Sequence, residues 1–136
     1  MNAKEYLSQV KSLKIGIKSK ARQIQSLEDS LYKVSPILCD MPKAATPQVD
    51  RMAGLVAAKV DLERELEADS TKLAEISQTI NSLTDPQYRS LLTNRYFAMM
   101  EWNEIADEMY LSTRSVYRLH KEALGEFEKS AVGGSW

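Results

Sequence analysis

A chain of 136 residues is the size of one domain, or of a small domain with an elongated appendage, and its 43% hydrophobic and 27% charged residues are an ordinary globular balance. No window approaches the roughly 18 continuous apolar residues of a membrane span, and the N-terminal MNAKEYLSQVKSLK lacks the apolar core of a signal peptide. A net charge of −1 excludes a generally basic polymer binder, so any contact with phosphate must come from a local concentration of charge.

Residues 2–34 carry the cleanest periodicity. Tyr6, Val10, Leu13, Ile17, Ile24, Leu27, Leu31 and Val34 follow alternating steps of four and three, with Lys20 in the one non-apolar slot. A 3.5-residue repeat places these side chains along one seam, as in a coiled coil. Residues 1–34 are also basic, with seven Lys/Arg against three Asp/Glu. Lys4, Lys11, Lys14, Lys18 and Lys20 form a group that is expected to solvate the helix, with phosphate contact as the alternative. Pro36 is expected to end the run, because the residue before a proline is pushed out of the α region. Residues 35–47, SPILCDMPKAATP, hold three of the four prolines and read as a connecting loop. Cys39, the single cysteine, permits no internal disulfide, which together with the N-terminal pattern gives an expectation of the cytoplasm, that of a bacterial host.

A second helix is expected over about 48–83, with a stripe of Met52, Leu55, Leu62, Leu66, Leu73, Ile76, Ile80 and Leu83 and polar slots at Lys59 and Asp69. Two long amphipathic helices joined by a short loop fold back as an antiparallel hairpin, here residues 1–83. Setting Leu31 beside Leu55 puts Ile24 against Leu62 and brings Lys20 next to Asp69. An unpaired charge in an apolar seam is costly, so these two should lean together. Lys59, opposite Leu27, should snorkel outward. The hairpin is expected to serve homo-oligomerisation or contact with a partner protein.

Asp85-Pro86 reads as a helix start, with Asp85 as N-cap and Pro86 at the first helical position. A third helix would run to about Met99, with Tyr88, Leu91, Leu92, Tyr96 and Phe97 as candidates for burial. A fourth spans roughly 101–109 and a fifth 113 to about 128, leaving 131–136 as a flexible tail. Trp102 through Leu119 has the pattern of a helix-turn-helix. Ile105, Ala106 and Met109 face inward, Leu111 plugs the turn, and Val116 and Leu119 close the core. Ser112 is placed to cap the second helix. The outward positions are then Thr113, Arg114, Ser115, Tyr117, Arg118 and Lys121. Residues 112–118 hold two arginines and no acid, within an otherwise acidic region. Arginine bonds guanine bidentately, and lysine or tyrosine reaches phosphate, so these six are the candidate DNA-binding residues.

Glu104-Ile105-Ala106, then Ser112, Val116, and Ala123-Leu124 with Phe127, resemble without gaps the region 4 helix-turn-helix of bacterial sigma factors. The wider pattern is similar to small phage-encoded regulators of late transcription of the RinA and ArpU kind, in Arg95-Tyr96-Phe97, Trp102-Asn103-Glu104-Ile105-Ala106 and Val116-Tyr117-Arg118-Leu119-His120. The likeness covers residues 84–128 in sequence and 1–83 only in architecture. It implies an all-α protein in which the hairpin precedes a sigma-like DNA-binding domain of 84–130. It also implies duplex DNA, and bacterial RNA polymerase, as partners. Tyr110 departs from the pattern, since many such motifs have glycine there and a left-handed backbone costs tyrosine roughly 1 kcal/mol.

Plainer readings stand beside these. Residues 101–128 as two packed helices without DNA contact would use the same apolar pattern. Trp102 reads as core rather than a base-stacking residue, His120 as a surface histidine, and Met99, Met100 and Met109 as gap-fillers. There are no metal-ligand spacings, phosphate-binding glycine loops or paired catalytic carboxylates, so no metal, cofactor or enzymatic activity is expected. An adaptor that docks on RNA polymerase without its own DNA site is the alternative function. The acidic run Glu101, Glu104, Asp107, Glu108 is the feature in its favour.

Overall fold

The computed structural model describes residues 2–39 and 47–130, and every regular element in them is helical. The order is α1 (Ala3–Cys39), α2 (Pro47–Asn81), α3 (Pro86–Leu92), a π-helical turn (Thr93–Phe97), α4 (Trp102–Met109) and α5 (Thr113–Ser130). The protein is all-α, an N-terminal hairpin followed by a helical domain. None of these helices is long and apolar enough to cross a membrane. The chain divides into two compact units, residues 15–71 and residues 1–14 with 72–136.

Residues 15–71 hold the paired middle stretches of α1 and α2. The seam residues Ile17, Lys20, Ile24, Leu27 and Leu31 of α1 and Met52, Leu55, Lys59, Leu62, Leu66 and Asp69 of α2 are half-buried, while their neighbours face solvent. Two ion pairs define the direction of pairing. Lys20 Nζ lies 2.6 Å from Asp69 Oδ2, and Lys59 Nζ lies 3.3 Å from Glu28 Oε1. One number falls as the other rises, so the helices are antiparallel. The hydrogen bond to Asp69 holds the Lys20 ammonium above its ordinary range, against the opposing effect of desolvation. The expected Lys20–Asp69 contact is therefore present. Lys59 differs from expectation: it does not simply snorkel outward, because Glu28 meets it across the hairpin and Glu63 from one turn along α2, at 3.7 Å. Helix α1 also runs past Pro36 to Cys39. A proline four residues from a helix end removes one backbone hydrogen bond, which the remaining turns tolerate. The middle of the expected loop, residues 40–46, lies outside the described residues, as does the expected tail, 131–136.

Residues 1–14 and 72–130 enclose the main core. Phe127, Leu7, Ile76, Ile80, Leu91, Leu92, Ile105, Val10 and Val116 are its largest fully buried side chains. Burial of each contributes about 1.5–3 kcal/mol. The first three turns of α1 and the end of α2 thus pack in one cluster with α3, α4 and α5. Tyr6 and Phe127 meet with ring centroids 5.7 Å apart, and Lys72 Nζ sits 4.9 Å from the Tyr6 ring.

Helix α3 starts as its sequence dictates. The Gln87 amide donates to Asp85 Oδ1 at 2.8 Å, and Pro86 opens the helix where no donor is needed. Its end is not the simple run to Met99 that periodicity suggests. From Thr93 the ladder shifts to a π turn, with the Ala98 amide donating to the Thr93 carbonyl, and Met99 then takes φ 60°. Two cations satisfy the carbonyls this leaves: Lys14 donates to Phe97 O, and Arg95 Nη1 to Met100 O at 2.9 Å. Met100 packs on the core, but Met99 is 39% exposed and fills no gap.

Candidate nucleic-acid interface

Helices α4 and α5 form the helix-turn-helix, with α5 packed on both α3 and α4. Helix α4 opens with the Glu101 amide donating to Glu104 Oε1 at 3.3 Å. At its other end the Leu111 amide donates to Ala106 O at 2.9 Å and the Tyr110 amide to Asp107 O at 3.3 Å. These are the paired closures of a Schellman motif, which requires a left-handed residue just past the helix. Tyr110 is that residue, at φ 58° and ψ 40°. The turn keeps the geometry glycine would give, and tyrosine bears the cost of about 1 kcal/mol. Leu111 folds back against the core, as expected of the residue that plugs the turn.

The Ser112 side chain then caps α5. The Ser115 amide donates to Ser112 Oγ at 3.1 Å, and the Ser112 hydroxyl donates to Ser115 Oγ at 3.0 Å. Val116, Ala123 and Phe127 are fully buried and Leu119 partly so, which turns the other side of α5 to solvent. On that side Thr113, Arg114, Tyr117, Arg118 and Lys121 are exposed and Ser115 is half-exposed. Arg114, Tyr117, Arg118 and Lys121 share the outward face, with Thr113 at one edge of it and the half-exposed Ser115 at the other. Ser115 is engaged in the cap, and Tyr117 leans on Trp102 with ring centroids 5.1 Å apart. Arg118 and Ser115 line a cleft of about 280 Å³ whose opposite wall includes Gln87 of α3. Gln87 was not among the sequence candidates, because nothing local to α3 signals its closeness to α5.

No acid stands in the first turn of α5. Beyond the Ser112 cap, the positive end of its dipole therefore meets no carboxylate in its own first turn. The acids lie elsewhere: Glu101, Glu104, Asp107 and Glu108 are all exposed on α4, and Glu122 accepts from the Tyr88 hydroxyl at 3.4 Å. Burial, reinforced by Glu122, raises the Tyr88 phenol above its ordinary range.

His120 corrects a sequence expectation, since it is not a surface histidine. Its Nε2 lies 2.8 Å from the Tyr96 hydroxyl, and its ring packs edge-on against Trp102 at 4.7 Å and beside Tyr96 at 5.9 Å. Arg95 stacks over Trp102 at 4.4 Å. Desolvation pushes the imidazole down to about 4, with Lys4 and Arg95 adding to the shift. Burial raises the Tyr96 phenol. Trp102 is thus the centre of a half-buried aromatic cluster that anchors the start of α4 to α5 and the π turn. Among the described residues no group of three or more His, Cys, Asp or Glu is arranged to hold a metal ion.

A long antiparallel hairpin, a small helical core and a capped helix-turn-helix with a basic outward face define the class of protein this chain represents. Residues 44–128 match the model of the family described as "Protein of unknown function (DUF1492)", and the chain belongs to that family. Neither the curated proteins nor the solved structures contain a match to it.

Proposed function

We propose that the chain binds duplex DNA sequence-specifically as a phage-type transcription regulator, inserting α5 from Thr113 into the major groove. The observation that carries this reading is the outward face of α5. Arg114, Arg118 and Lys121 project from a helix whose N-terminus is free of acids and whose entry is fixed by the Ser112 cap. In helix-turn-helix docking the second helix lies in the groove and its first turns reach the base edges, and Arg114 and Arg118 are on those turns. The sequence likeness to sigma region 4 and to phage late-transcription regulators supports the same reading. So does the Schellman closure at Tyr110, which restores the turn geometry of that likeness.

One helix-turn-helix buries too little surface for a tight specific site, so a second copy or a polymerase anchor completes the mechanism. The hairpin suits self-association. Its seam is only half-buried between two helices, and Val49, Val56 and Val60 on α2 are each more than 40% exposed.

The second reading, an adaptor that docks on bacterial RNA polymerase without a DNA site, is favoured by the exposed acids of α4. Binding to duplex DNA at increasing salt separates the two. Each phosphate neutralised contributes a slope of about −0.9 in log K against log salt. Arg114, Arg118 and Lys121 together give a slope of roughly −2 to −3 on this account. Absence of salt-dependent binding to any duplex would refute the DNA reading.

A further inference from the structure

Tyr110 combines a backbone conformation that disfavours a side chain with a side chain that packs on almost nothing. Its φ of 58° is the left-handed region, where glycine sits without penalty. The phenol is 94% exposed, the highest value for a large hydrophobic among the described residues. The Schellman closure needs the conformation but not the ring. An aromatic held in solvent at this position has its use outside the folded chain.

We propose that the Tyr110 hydroxyl donates to a DNA backbone phosphate at the edge of the groove that receives α5, an inference that rests on the DNA-binding reading above. In that docking mode the first helix crosses the sugar-phosphate backbone and the start of the second reaches the bases. The segment joining them therefore passes the phosphates, and Tyr110 is in that segment, three residues before Thr113. The base on which the phenol stands is rigid, with two backbone closures on its N-terminal side and the Ser112 cap on the other. Tyrosine is among the side chains that bond phosphate oxygens and fix register on a duplex.

The experiment compares the full chain with Tyr110→Phe and Tyr110→Gly, on a duplex selected by the parent chain from a random library and on unselected duplex, across a salt series, with the melting temperature of each. Loss of a hydrogen bond to a charged oxygen weakens binding about ten- to a hundredfold. Tyr110→Phe should show this loss on both duplexes with the salt slope unchanged, since a neutral donor releases no counterion. Tyr110→Gly should lose at least as much while melting no lower than the parent. Parental affinity in both variants, or a loss in the glycine variant alone, would overturn the phosphate contact and leave the DNA reading standing. A parent chain without salt-dependent duplex binding would overturn both.

Discussion

On the exposed face of α5 two cations one turn apart have different expected roles. Arg118 lines a cleft with Ser115, Glu122 and Gln87; in the proposed docking it would reach a base edge, and Lys121, one turn further along α5, a phosphate at the rim of the groove. Arg118→Ala is expected to cost about 1–3 kcal/mol and relax preference at one base position, and Lys121→Ala to weaken all duplexes alike. Equal losses for Arg118→Ala on specific and random duplexes would contradict the assignment. Behind that face, His120 makes the fold sensitive to acid. Above its unfolded value of 6.5 the ring is neutral in both states and stability does not depend on it. Between 6.5 and about 4 the unfolded chain takes up a proton that the folded chain refuses, so stability falls as pH falls. The ring is only half-buried, so solvent screening holds the loss to about 1–2 kcal/mol near pH 4. Urea unfolding at pH 7 and pH 5 should show this drop in the parent and a smaller one in His120→Gln. A variant with the parent's pH dependence would show that the ring is not the source.

At the scale of elements, the Lys20–Asp69 contact acts on register more than on stability. Both side chains are about three-quarters buried, and they are hydrogen-bonded to each other. Removing one partner leaves the other desolvated, while replacing both with apolar groups is often neutral or better. Lys20→Met and Asp69→Leu should each destabilise the hairpin, the double variant should recover, and a coupling energy near zero would contradict the pairing. This contact was legible in the sequence because a 3.5-residue repeat converts spacing directly into register, and a charge in a seam stands out. The inward residues of α4 and α5 were legible for a similar reason, as were the caps Asp85 and Ser112. What escaped were features set by distant partners or by backbone alone. Glu28 reaches Lys59 from the other helix without being a seam residue. His120 is half-buried where Tyr96 and Trp102 each pack against its ring. The π turn at Thr93–Phe97 shifts a hydrogen-bond ladder by one residue without any side-chain pattern to announce it.

For the whole molecule, the core decides what can be cut away. Periodicity places the end of the hairpin at Leu83, and on that reading a fragment beginning near Ser82 keeps a folded helix-turn-helix. The packing sets the expected outcome the other way. Tyr6, Leu7 and Val10 of α1 and Ile76 and Ile80 of α2 belong to the same cluster as Leu91, Ile105, Val116 and Phe127. Without them the remaining chain of about 50 residues loses part of a core that is already small for its size. It would also turn the apolar sides of α3 and α5 to water, at about 25 cal/mol per Å² exposed. The fragment from Ser82 is therefore expected to be unfolded even at low temperature. Residues 15–71, by contrast, form their own compact unit. Replacing them with a short Gly/Ser linker between Lys14 and Lys72 should leave the core intact and the chain cooperatively folded. Circular dichroism and amide exchange on the two shortened chains check both outcomes. A folded fragment from Ser82 would show that α3, α4 and α5 suffice, and an unfolded linker variant would show that residues 15–71 are needed to hold α1 against the core.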